Sequence, residues 1–243
     1  MIKVIVNGAH GRMGLETVKA IHEDPQFELV GTATRGDVLS DIIRHTKADV
    51  VVDFTTPEVV YDNVKTILAA KARPVVGTTG LPLQSIHALQ EMAAKEKIGG
   101  IIAPNFSMAA VLMMKYAKDA ARYFSNVEII EWHHEKKLDA PSGTAVKTAE
   151  MIAESFSKKP TPREEKESLK GARGGEYEGI HLHSIRLPGL LAHQEVLFGD
   201  TGETLSLRYD SIHRNAYMPG VCFACKKVMD LQTFAYGLNE LLD

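Results

Sequence analysis

A doubly wound α/β domain built on a parallel sheet, followed by a second α+β domain with a mixed or antiparallel sheet, is the fold this sequence predicts. Three observations carry that expectation. Up to Phe106, short and nearly continuous apolar runs alternate with stretches of helical period. Beyond it, two long helical stretches give way to segments of alternating polarity. The length, 243 residues, falls between one large domain and two small ones.

The apolar runs are Ile2 to Val6, Phe27 to Thr34, Asp49 to Phe54, Pro74 to Gly77 and Gly100 to Ala103. Between them, Arg12 to His22 places Met13, Leu15, Val18 and Ile21 on one helical face. Glu58 to Ala70 starts with Thr56 in capping position and Pro57 at the first helical residue, and Leu83 to Lys97 reads as another helix. Apolar strands separated by helices require crossovers that return the chain to the same end, hence a parallel sheet covered on both faces. After Phe106, Ser107 to Phe124 reads as a helix, Val127 to Trp132 as a strand, and Ser142 to Phe156 as a helix capped by Ser142. Ser157 to Glu178, with Pro160, Pro162 and mixed charges, reads as a surface loop. Ile180 to Arg186, Ala192 to Phe198 and Glu203 to Asp210 alternate as strands, the last two joined by a turn at Gly199 to Gly202. From Asn215 the chain reads as helical and able to pack back on the first domain. Cys222 and Cys225 fall on the apolar face of that helix, a core position in preference to a redox or zinc pair.

Composition narrows the function classes. With 28 basic against 31 acidic residues, a net charge of −3, the chain lacks the basic excess of a nucleic-acid binder. Its longest apolar stretch, Met108 to Met114, is far short of the roughly 20 residues that span a bilayer. No membrane, no nucleic acid and a cytoplasmic location are therefore expected. Anionic ligands must be held by local sites.

Two such sites are legible. Gly8, Gly11 and Gly14 follow the first strand at three-residue spacing and run into the first helix. Glycines at a strand-to-helix turn allow close backbone approach, and the helix N-terminus favours a pyrophosphate, as in a Rossmann-like dinucleotide site. The second strand ends Thr34, Arg35, Gly36 where a carboxylate would normally receive the ribose hydroxyls. A guanidinium there suits a 2′-phosphate, so NADPH is preferred; Asp37 just beyond keeps NADH open. The second site is Glu131 to Ala145, E-W-H-H-E-K-K-L-D-A-P-S-G-T-A, where adjacent histidines, a lysine and a capped helix start form a basin suited to carboxylates. Adjacent histidines without further ligands fit zinc poorly, so no metal is expected.

Taken together, G-A-H-G-R-M-G, D-F-T-T-P-E (Asp53 to Glu58), V-G-T-T-G (Val76 to Gly80), A-P-N-F-S (Ala103 to Ser107) and the H-H-x-x-K-x-D-A-P-S-G-T-A run resemble the dihydrodipicolinate reductase family along the whole chain. The resemblance implies NAD(P)H-dependent reduction of a cyclic imine dicarboxylate, 4-hydroxy-tetrahydrodipicolinate, to tetrahydrodipicolinate in the diaminopimelate route of lysine biosynthesis. It further implies that Gly8, Ala9, His10, Gly11, Arg12 and Met13 cradle the pyrophosphate and that Arg35 meets the 2′-phosphate. Gly77, Thr78 and Thr79 would line the nicotinamide and its ribose, with Ala103, Pro104, Asn105 and Phe106 closing the site. His133 and Lys137 match proton donors. His134, Lys137, Ser142, Gly143 and Thr144 match substrate contacts, and Arg214 matches a residue of the substrate site or the interdomain hinge. The change of pattern after Phe106 and the returning tail predict a cofactor domain of residues 1–106 and 215–243 around a substrate and oligomerisation domain of 107–214; a homotetramer follows from the resemblance. Two other classes stay open on the residues alone: a reductase of another aspartate-derived compound on the same architecture, and a catalytically silent dinucleotide sensor.

Overall fold

The computed structural model describes residues 1–158, 164 and 166–242. The expected loop from Ser157 to Glu178 therefore lies partly outside the described residues, as do Pro160, Pro162 and several of its charges. The chain divides into two compact units, residues 1–108 with 214–243, and residues 109–213.

The first unit is a six-stranded sheet, parallel throughout, made of β1 (Ile2–Asn7), β2 (Phe27–Ala33), β3 (Val50–Asp53), β4 (Arg73–Val76), β5 (Gly100–Ile102) and β11 (Phe234–Tyr236). Its order is β11-β5-β4-β3-β1-β2. The strand order reverses at β1, which lies between β2 and β3, and such a switch point is where open α/β sheets bind ligands. Val50, Val51 and Val52 are fully buried, as strands covered on both faces require. The helices are α1 (Arg12–Glu23), α2 (Leu39–Thr46), α3 (Pro57–Ala69), α4 (Leu83–Glu96) and α7 (Met218–Lys227). Leu68, Val76, Leu89 and Phe234 share one core, and Ile5, Ile43, Val51 and Ile67 another.

Two elements of this unit depart from the sequence expectation. α2 was not foreseen, because only Leu39 and Ile43 of its eight residues are buried and the apolar stripe is short. The segment after Asn215 is not all helix: α7 is followed by β11, three residues paired in parallel with β5. A strand that short at a sheet edge carries too few residues to show a period. Cys225 is buried and Cys222 half-buried on α7, and burial pushes both thiols up, Cys225 the more.

The second unit packs α5 (Met108–Ala120, whose first residue belongs to the first unit) and α6 (Gly143–Ala153) on a five-stranded sheet. Its strands are β6 (Asn126–His133), β7 (Gly175–Tyr177), β8 (Ile180–Arg186), β9 (Ala192–Asp200) and β10 (Glu203–Ser211), in the order β10-β9-β6-β8-β7. The β6–β8 pair is parallel and the others antiparallel. β7 falls inside the expected loop, and all three of its residues are exposed, which leaves no apolar alternation to read. Ile129, Ile180, Val196 and Phe198 point to the helix-covered side with Ala145, Ala149 and Ile152 of α6. Asp200 pairs with Glu203 across the tight turn expected there, with Gly202 at φ +84°. Among the described residues no helix is long and apolar enough to cross a membrane.

Candidate active site

In a parallel sheet the strand-to-helix loops all leave from one edge. The expected cofactor segments accordingly start at the carboxyl ends of β1, β2, β4 and β5, and backbone bonds tie several of them to neighbouring strands. Gly8 N–H donates to Ala33 O (2.9 Å), Phe54 N–H to Asn7 O (3.0 Å), Gly77 N–H to Asp53 O (2.9 Å) and Ala103 N–H to Val76 O (2.9 Å). Gly8 has φ +81°, and a Cβ on it would stand 2.5 Å from Phe54 O. A Cβ on Gly14 would stand 2.1 Å from Gly8 O, so α1 is drawn against the turn in a way that only glycine allows. Gly11 caps α1 without a side chain, the first turn carries no acid, and its N–H groups are free to receive an anion. This cradle fits a dinucleotide pyrophosphate.

Beneath the loops lies a fully buried carboxylate. Asp53, the last residue of β3, accepts from Asn7 Nδ2 (2.8 Å), Asn63 Nδ2 (2.9 Å), Thr55 N (3.0 Å), Thr55 Oγ1 (2.6 Å) and Thr78 Oγ1 (3.2 Å). It therefore binds the end of β1, the start of α3 and the loop after β4 into one piece. Phe54 packs edge-on to Phe106, their centroids 5.9 Å apart, and Phe54 also occupies the space a Gly77 side chain would need. Arg35 is exposed beyond β2. Asp37 folds back to accept from Thr34 N (2.8 Å) and Thr34 Oγ1 (2.9 Å). Those bonds, with His10 nearby, hold its carboxyl below the usual range.

The second unit gathers the other constellation at the end of β6. Glu131 and His133 project to the same side, two residues apart on one strand. The Glu131 side chain is 1% exposed, and His133 Nδ1 hydrogen-bonds to its carboxylate. Arg186, paired with His133 across β6 and β8, grips the same carboxylate with both terminal nitrogens at 2.9 and 2.7 Å. Ser142 N donates to it at 3.3 Å. Burial alone would push the Glu131 carboxyl up. The bonds from His133, Arg186 and Ser184 outweigh that and hold it at about 2. Ser142 caps α6, accepting from Ala145 N (3.2 Å), and a side chain on Gly143 would meet open space. Lys137 Nζ lies against both oxygens of Asp139, at 2.7 and 2.8 Å.

The comparisons bear on these two constellations together. The family model described as dihydrodipicolinate reductase, N-terminus, matches residues 2–106, and its C-terminal counterpart matches residues 109–242. The chain belongs to the dihydrodipicolinate reductase family. A 4-hydroxy-tetrahydrodipicolinate reductase of Coxiella burnetii is 52% identical over 242 residues, 99% of each chain. One of Legionella pneumophila is 52% identical over 240 residues, again 99% of each. Among solved structures, a dipicolinate-bound dihydrodipicolinate reductase from Paenisporosarcina sp. TG-14 superposes with a TM-score of 0.91 at 43% identity, covering 100% of both chains. As a member of the dihydrodipicolinate reductase family the chain is an oxidoreductase of the diaminopimelate route to lysine, and the expected fold class holds.

Within this reductase the expected site residues separate by unit. Gly8, Ala9, His10, Gly11, Arg12, Met13, Arg35, Gly77, Thr78, Thr79, Ala103, Pro104, Asn105 and Phe106 lie in the first; His133, His134, Lys137, Ser142, Gly143 and Thr144 lie in the second. Arg214, expected at the substrate site or the interdomain hinge, opens a 3-10 turn and is the first residue of the first unit's returning segment. Asp53, Asn63, Glu131, Asp139 and Arg186 were not foreseen. Glu131 carried a readable signal, since strand alternation puts it on the face of His133. Arg186 carried none, because it reaches the site from β8, 55 positions along the chain.

Proposed function

We propose that the chain reduces 4-hydroxy-tetrahydrodipicolinate with NADPH in preference to NADH, through His133, Lys137 and the residues around them. The observation that carries this reading is the buried Glu131 carboxylate with His133, Arg186 and Ser142 N around it, beside the Lys137–Asp139 pair. It joins a proton donor to carboxylate-binding groups. The reduced nicotinamide supplies the hydride when bound. Gly8, Ala9, His10, Gly11, Arg12 and Met13 would hold its pyrophosphate, and Arg35 the adenosine 2′-phosphate. Gly77, Thr78 and Thr79, with Ala103, Pro104, Asn105 and Phe106, would line the nicotinamide end.

Loss of the substrate's 4-hydroxyl as water gives the conjugated imine, and hydride addition to that imine leaves electron density that an acid must quench. His133, whose Nδ1 is engaged by Glu131, has Nε2 to give that proton. Lys137 serves as the second donor and as a point charge. The donors of Ser142, Gly143 and Thr144 at the start of α6, with His134, orient the substrate carboxylates. Arg214 is assigned to substrate contact on the family resemblance.

A second reading of the reductant has its own support. Asp37, fixed at the tip of β2 by Thr34, offers a carboxylate suited to ribose hydroxyls, which favours some use of NADH. A cytoplasmic homotetramer is part of the same proposal. The sheet face of the second unit opposite α5 and α6 carries Ile130, Trp132, Ile185 and Leu197, and Leu197 is exposed. Light scattering on the purified chain tests the tetramer.

The activity test supplies the freshly formed product of dihydrodipicolinate synthase with either nucleotide and follows nicotinamide absorbance. Faster oxidation of NADPH is the expected result. Binding without turnover would favour the silent sensor, and turnover confined to other imino or oxo acids would favour the competing reductase.

A further inference from the structure

Every oxygen lone pair of Glu131 that meets a neighbour meets a donor. Oε2 receives His133 Nδ1 and Arg186 at 2.9 Å; Oε1 receives Arg186 at 2.7 Å and Ser142 N at 3.3 Å. Arg186 in turn donates to Asp139 O at 2.7 Å, the loop residue whose side chain holds Lys137. One carboxylate thus ties His133 on β6, the N-terminus of α6, and β8. An ionised carboxylate accepts and cannot donate, so the hydrogen shared with His133 belongs to the imidazole.

We infer that Glu131, braced by Arg186, is a positioning residue of the reaction: it holds His133 in the tautomer with hydrogen on Nδ1, leaving Nε2 as the proton-transferring atom, and sets the start of α6 beside it. The inference rests on the assignment of His133 as a proton donor. When the imidazolium releases its proton from Nε2, the neutral ring that remains keeps Nδ1–H, the form Glu131 already accepts from. No rearrangement follows the transfer, and the ring is ready to take the next proton at Nε2. A glutamine at position 131 would break this. Its amide can point oxygen toward only one pair of donors, so either Ser142 N and Arg186 or His133 and Arg186 would face N–H groups. A backbone N–H can only donate whereas the imidazole can accept, so the amide oxygen goes to Ser142 N; the amide nitrogen then donates to His133 Nδ1 and moves the ring hydrogen to Nε2, the wrong atom for the neutral product.

The experiment compares wild type, Glu131→Gln and Glu131→Asp by steady-state kinetics, thermal unfolding and nitrogen NMR of protein labelled with [15N]histidine, the His133 signals being assigned by their loss in His133→Gln. In wild type, neutral His133 is expected to show a protonated Nδ1 and an unprotonated Nε2. Glu131→Gln is expected to invert that pattern and to lower kcat about 100-fold or more with KM changed by less than about threefold. Glu131→Asp, which keeps the anion, should retain the wild-type tautomer and recover most of the lost kcat. A wild-type His133 carrying its hydrogen on Nε2 overturns the inference without any variant having to fold. So does a Glu131→Gln enzyme that melts lower yet keeps its kcat and tautomer, because Glu131 would then serve packing alone. Failure of wild type to oxidise NADPH would count against the proposed function, and the tautomer measurement would still decide the role of Glu131.

Discussion

His133 and Lys137 stand in different company. The His133 ring is 12% exposed and held by a carboxylate only 1% exposed, whereas the Asp139 partner of Lys137 is 59% exposed. A buried, oriented acid is the better instrument for a defined proton transfer. His133→Gln is therefore expected to lower kcat about 100- to 10,000-fold with a small effect on KM, as general-acid groups do. Unchanged turnover in steady-state kinetics would remove His133 from the chemistry. At the other ligand site, Arg35→Ala should weaken NADPH about tenfold or more and leave NADH nearly unaffected, the loss of one charge-assisted contact to a phosphate. Titration of both nucleotides against the variant measures it, and equal losses would reassign Arg35 to the solvated surface. At this scale the proposed ligand-facing groups were readable as short motifs, because the motif residues are neighbours in the chain. The groups that hold them were not: Asn63 meets Asp53 only once α3 has packed on β3, and Arg186 meets Glu131 only after β6 and β8 have paired.

Among elements, the loops of the parallel sheet owe their arrangement to Asp53. Its five bonds come from neutral donors, with no cation among them. In Asp53→Asn an amide nitrogen must face either the amides of Asn7 and Asn63 or the N–H of Thr55. That leaves at least one buried donor opposed to another, at a cost of about 2 kcal/mol. A lower urea midpoint with weaker nucleotide binding is the expected result; an unchanged midpoint would show that the network is dispensable. β1 to β5 were legible because each is a short, nearly continuous apolar run set between helical stretches. α2 and β7 were not, for they bury too little to impose a period on the sequence. β11 was lost for another reason: a three-residue pairing takes its identity from β5 across the sheet, not from its own residues.

At the scale of the whole molecule, acid should find the second unit at Glu131. The carboxyl stands at about 2 in the folded chain against an ordinary value of 4.5. Its stabilising contribution, up to roughly 3 kcal/mol, is complete above pH 4.5 and is lost as pH falls through about 2. Trp132, the single tryptophan, lies on the same strand and reports the change by its fluorescence. Wild type should lose denaturant resistance across that interval, while Glu131→Gln, weaker throughout, should lack this component; parallel profiles would place the acid sensitivity elsewhere. The division of the chain has a consequence of another kind. The second unit is one continuous segment, 109–213, whereas the first needs residues 214–243 to return, with Lys226 reaching Asp24 at 3.1 Å and β11 closing the sheet beside β5. During synthesis the inserted segment emerges whole before the last thirty residues that complete the first unit. The N-terminal strands, although made first, wait for the last thirty residues, so the usual order of domain completion along a nascent chain is reversed.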